Sequence, residues 1–153
     1  MTEKIKRAVR VKDWTTEIPD LENRFAGLPI AVAYIDGVNW RFLKHISYRT
    51  KANEISTIRK GFVLDFASVP QIMWWLYPST GFPYAIAACW HDWLYCHRKI
   101  GGREIKRKEA DELFYEIMRY VGCSWWTAAR LYRWVRAFGW IPWGRRRPED
   151  TIP

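Results

Sequence analysis

The chain has 153 residues, 49% hydrophobic and 27% charged, which argues against a disordered tail or two full domains and for one domain with a packed core. Its 25 Lys and Arg against 16 Asp and Glu leave a formal net charge of +9, favouring anionic partners such as nucleic acid or a phospholipid surface. Cys89, Cys96 and Cys123 are odd in number and lie outside C-x-x-C pairs, so neither a disulfide framework nor a zinc knuckle is indicated.

No secretory apolar core and no run of about 18 apolar residues is present, so the protein is expected to be soluble and made without a transmembrane helix. Residues 1–29, with Pro19, Gly27 and Pro29, read as an irregular arm. Ala31 to Ile35, the turn signal Asp36-Gly37, and Val38 to Ser47 with Trp40, Phe42 and Ile46 on alternate positions predict a hairpin. A second alternating run over Glu54 to Leu64, carrying Ile55 and Ile58, leads to a strand end near Asp65. Pro70 then opens a short apolar helical segment, Gln71 to Tyr77. A longer helix is expected from Pro83 to Arg98, closed by Gly101-Gly102. Ala110, Leu113, Phe114, Ile117, Met118 and Val121 recur at helical spacing over Lys106 to Val121, and Gly122 ends that helix. Ser124 caps a last helix that runs to Phe138 and stops at Gly139. The fold class expected is α+β: a small antiparallel sheet, then packed helices, forming one domain over residues 1–144 with a basic tail over 145–153.

Chemistry concentrates in Ala87-Ala88-Cys89-Trp90-His91-Asp92-Trp93-Leu94-Tyr95. His91 and Tyr95, four residues apart, share a helix face, and Asp92 points roughly 100° round it. Two helices joined by the Gly-Gly loop would pack antiparallel, returning Asp111 to the His91 imidazole as an orienting carboxylate. Asp65 stands at a strand end, and with Asp92 and His91 it would make a mixed oxygen and nitrogen site for a divalent cation; zinc, calcium and manganese all suit it. Each residue has a plainer role: Asp65 or Ser68 as a cap for the helix at Pro70, and His91 as a hydrogen-bonded core histidine. Cys89 reads as core, Cys96 and His97 as surface.

On the last helix Arg130, Arg133 and Arg136 repeat every third residue among Trp126, Ala129, Tyr132 and Trp134, and Trp140 to Arg147 ends in Arg145-Arg146-Arg147. That interleaving suits an anchor at an anionic membrane surface or a grip on nucleic acid. A core-packing helix with a solvated basic face explains it equally.

Gly61-Phe62-x-x-Asp65-Phe66-Ala67-Ser68-Val69-Pro70, then Ala87-Ala88-x-x-His91-Asp92-x-Leu94-Tyr95 and Ala110-Asp111-x-x-Phe114-x-x-x-Met118 resemble a phage and prophage family classed as a domain of unknown function. More locally, Ala88-Cys89-x-His91-Asp92-x-x-Tyr95 with Asp111 is similar to the catalytic helix pair of secreted phospholipases A2, especially the short bacterial type. The likeness implies His91 as the base that activates water, Asp92 as a calcium ligand, Asp111 as the group orienting His91, and Tyr95 as a supporting hydrogen bonder. This chain lacks the flanking disulfides and the glycine-rich calcium loop, for which Asp65 would substitute. Together these imply a phage-encoded, metal-dependent hydrolase with calcium or zinc, present in the host cytoplasm and acting at the host envelope on a phospholipid ester or a cell-wall bond. The alternatives are a non-enzymatic virion or tail-assembly protein bound to phage structural proteins, and a nucleic-acid-binding protein.

Overall fold

The computed structural model describes residues 24–28, 30–36, 39–65 and 83–144. The expected helix over Gln71 to Tyr77, Ser68, most of the N-terminal arm, the Gly37 turn and the tail with Arg145, Arg146 and Arg147 lie outside the described residues. The fold is α+β, and the chain divides into two compact units, residues 1–67 and 68–153.

The first unit holds two three-stranded antiparallel sheets. In one, β1 (Phe25–Ala26), β4 (Ile46–Arg49) and β5 (Ile55–Ile58) lie in the order β1-β4-β5; in the other, β2 (Val32–Asp36), β3 (Asn39–Phe42) and β6 (Val63–Asp65) lie in the order β2-β3-β6. The predicted hairpin is present, pairing Val32 with Phe42 and Tyr34 with Trp40, with a register shift before Asp36. The single strand expected over Val38 to Ser47 is instead two strands in different sheets. Phe42 and Ile46 keep the same parity across the break, so alternation alone does not reveal it. His45 in that break accepts a hydrogen bond on Nδ1 from the Lys60 amide at 3.2 Å. Gly27, at φ 93°, lies where a Cβ would collide with the His45 carbonyl, so β1 can approach only because this residue has no side chain. Ile58 is fully buried and Ile55 is half exposed, because positions three apart on a strand face opposite ways.

In the second unit, α1 (Pro83–His97) is followed by a small hairpin of β7 (Lys99–Ile100) and β8 (Arg103–Glu104), then α2 (Arg107–Tyr120), α3 (Trp125–Phe138) and the short α4 (Trp140–Gly144). Gly101 and Gly102 do not cap α1. They form the hairpin turn at φ 56° and 86°, the positive values that a two-residue turn of this hand requires. The helix ends earlier, with Arg98 itself at φ 55°. α2 buries Ala110, Leu113, Phe114, Ile117 and Met118 as its spacing predicts, together with Asp111. Trp90 and Leu94 of α1 and Val121 after α2 complete a core without solvent exposure. Ser124 caps α3 by accepting from the Thr127 amide at 3.2 Å. Ser124→Ala should therefore lower stability by about 1 kcal/mol, measured as a shift in the urea midpoint at constant slope.

Candidate active site

α1 presents His91 and Tyr95 one turn apart to the first half of α2. Tyr95 and His91 both reach Asp111, and the His91 ring also meets Phe114 at 4.9 Å. Moving back along α1 moves forward along α2, which is the antiparallel packing the sequence predicts.

Asp111 is the centre of the arrangement and has no solvent exposure. Its Oδ1 lies 2.9 Å from His91 Nε2 and accepts from the Tyr95 hydroxyl at 2.5 Å. Its Oδ2 accepts from Arg136 Nη1 at 2.8 Å, with Arg107 Nη1 at 3.5 Å. Burial works against the Asp111 charge, but hydrogen bonds from His91, Tyr95 and Arg136 outweigh it and hold the carboxyl below its usual range. An ionised carboxylate only accepts, so His91 Nε2 carries the proton and donates it. Burial drives the His91 pKa below its ordinary 6.5 against the opposing pull of Asp111, so the ring is neutral near pH 7 with its lone pair on Nδ1. The imidazole retains 11% exposure where Asp111 has none; the group able to act as a base has access, and the group that orients it does not. Burial first, then the bond to Asp111, pushes the Tyr95 pKa well up, so Tyr95 stays a phenol and a donor.

The network spans three helices. Arg107, four residues before Asp111, also donates from Nη1 to the carbonyls of Val135 and Arg136 at the end of α3. α4 lies beside Tyr95: the Trp143 ring meets it edge-on at 5.0 Å, and Arg98 sits 4.7 Å over the same Trp143 ring while donating to its carbonyl. Between α3 and α4, a Cβ on Gly139 would collide with the Tyr95 hydroxyl and the Val135 carbonyl. Gly139→Ala should cost about 1–3 kcal/mol, measured by urea unfolding, because the backbone oxygen cannot step aside as a side chain would.

The sequence reading placed His91, Asp111 and Tyr95 together, and the structure brings them together. Arg136, assigned to an anionic surface stripe, turns inward to Asp111 with its side chain 32% exposed. Arg130 and Arg133 face solvent, and the Trp134 ring packs on Phe138 at 4.4 Å. Asp92 is half-buried; its charge, after burial, helps push the Cys89 thiol far above its ordinary range, which removes Cys89 as a nucleophile. Asp65 ends β6 in the other unit, and its side chain lies outside the described residues. Among the described residues no three His, Cys, Asp or Glu side chains gather as metal ligands would. Sequence reasoning missed Arg107, Arg98 and Trp143. Only Arg107 carried a usable signal, its i,i+4 spacing to Asp111.

Residues 40–135 match the family described as Protein of unknown function (DUF1353). The matched span holds His91, Tyr95, Arg107 and Asp111 and ends one residue before Arg136. No curated protein and no solved structure matches the chain. With more than half of its length matched, the chain belongs to the DUF1353 family.

Proposed function

We propose that this member of DUF1353 is a hydrolase in which His91, oriented by Asp111, is the general base for attack of water on an ester. One observation carries the reading: the fully buried Asp111 carboxylate lies in hydrogen-bond reach of Nε2 of an imidazole that keeps some solvent access. In the step, a water proton passes to His91 Nδ1 as the water oxygen bonds to the acyl carbon. The acyl C–O bond then breaks, and the imidazolium returns its proton to the departing alkoxide, giving a carboxylic acid and an alcohol. Tyr95, Arg107 and Arg136 are positioning residues that keep Asp111 charged and still. The likeness of the helix pair to bacterial phospholipases A2 supports a lipid ester as substrate, and the likeness of the motifs to phage sequences supports a site of action at a bacterial envelope. Calcium or zinc held at Asp92 belongs to the same proposal, with His91 Nδ1 kept as the base. Release of fatty acid from mixed phospholipid vesicles is the test, run with calcium, with zinc and with chelator. Release lost in His91→Gln supports the proposal, and equal release by both proteins removes it.

A second reading draws on Arg107 and Arg136. With both on Oδ2, the carboxylate ties three helices together, as a polar lock in a non-enzymatic virion protein would. That reading predicts no fatty-acid release by the wild type and a loss of stability when Asp111 is replaced.

A further inference from the structure

A second site lies between α2 and α3. Glu112 and Tyr115 on α2 and Trp125, Ala129, Tyr132 and Arg133 on α3 line a groove of about 390 Å³. The α3 residues fall at i, i+4, i+7 and i+8, one strip of that helix, and Ala129 leaves space between the rings that its larger neighbours supply. Tyr115 and Tyr132 meet edge-on at 5.7 Å. The residues lining the groove include no member of the His91 network.

Three aromatic rings with a carboxylate form an environment for an alkylammonium cation, whose charge is attracted to ring faces. Among the described residues Glu112 is paired with Lys108 at 3.7 Å, with both side chains more than half exposed, a pairing readily exchanged for a ligand cation. Arg133 is exposed and makes no ion pair among the described residues. Glu112 would oppose a simple anion and Arg133 a simple cation; together they complement a zwitterion with a phosphate beside an ammonium. The neighbouring Trp125 and Trp126 are 50% and 71% exposed and stack edge-on, as aromatic side chains do at headgroup depth in a bilayer.

We infer that this groove binds the phospho-ammonium head group of a zwitterionic phospholipid in a bilayer, the ammonium among Trp125, Tyr115, Tyr132 and Glu112 and the phosphate on Arg133. The experiment is co-sedimentation of the full chain with phosphatidylcholine vesicles, phosphatidylglycerol vesicles serving as the comparison and soluble phosphocholine as competitor. The expected result is binding to phosphatidylcholine that phosphocholine displaces and that weakens about tenfold in both Glu112→Gln and Trp125→Ala. Glu112→Gln changes an exposed position, so the site can be judged even if Trp125→Ala perturbs the start of α3. His91→Gln should bind as wild type does, which separates this site from the proposed hydrolysis. The inference is overturned by any of three results: no vesicle binding, even where soluble phosphocholine binds; binding to phosphatidylglycerol alone that salt abolishes; or phosphatidylcholine binding unchanged in Glu112→Gln.

Discussion

Asp111→Ala should destabilise the second unit by about 3–5 kcal/mol, the cost of breaking a buried ion pair from one side. The carboxylate has no solvent exposure, and its two oxygens hold His91, Tyr95, Arg107 and Arg136. Removing it leaves the Tyr95 hydroxyl and the His91 N–H without their acceptor, and it sets the guanidinium groups of Arg107 and Arg136 against each other with no anion between them. Such a loss is comparable to the whole stability of many domains of this size, so urea unfolding followed by helical circular dichroism should show a transition displaced far towards zero denaturant. Arg136→Gln is the graded comparison. It removes one partner from Oδ2, leaves Arg107 and the Oδ1 bonds in place, and starts from a side chain about one-third exposed, so its penalty should be much smaller. Equal penalties for the two variants would mean that Asp111 acts through Arg136 alone and that its bonds to His91 and Tyr95 contribute nothing to the fold.

The parts of this centre that the sequence revealed are those where period and packing agree. In α2 the three-four spacing of Ala110, Leu113, Phe114, Ile117 and Met118 defines the buried face, and Asp111 beside Ala110 had to reach whatever α1 offered. His91 and Tyr95, one turn apart, were polar side chains there of the right phase. Arg136 was misplaced for a geometric reason. An arginine every third residue drifts about 60° round a helix at each step, so Arg130 and Arg133 remain outside while Arg136 has rotated towards Asp111. Arg98 and Trp143 were hidden because their meeting depends on α4, whose path after Gly139 no local pattern specifies. Gly101-Gly102 could serve as a helix stop or as a hairpin turn, since both need positive φ, and only the pairing of Lys99 with Glu104 decides between them.

His91→Gln should lower fatty-acid release on the order of 10²–10⁴-fold, the usual contribution of a positioned acid–base group, while leaving the helices folded. Asp111→Asn sharpens the test. Its amide can donate to Nε2, which would move the imidazole proton to Nδ1 and remove the lone pair that the reaction needs. Turnover should then fall with His91 still in place, at a stability cost below that of Asp111→Ala. The pH dependence follows from the depressed His91 pKa. The neutral ring is the active form, so release should rise with pH through a value below 6.5 and then stay level through pH 7. Stability runs the same way: below 6.5 the unfolded chain binds the His91 proton before the folded one does, so the contribution present above 6.5 is lost as pH falls through the folded pKa. Asp111, also held below its ordinary range, adds a second loss below about pH 3.8. A profile that instead rose towards acid, or that survived in Asp111→Asn unchanged, would take His91 out of the chemistry and leave the buried carboxylate as a lock between helices.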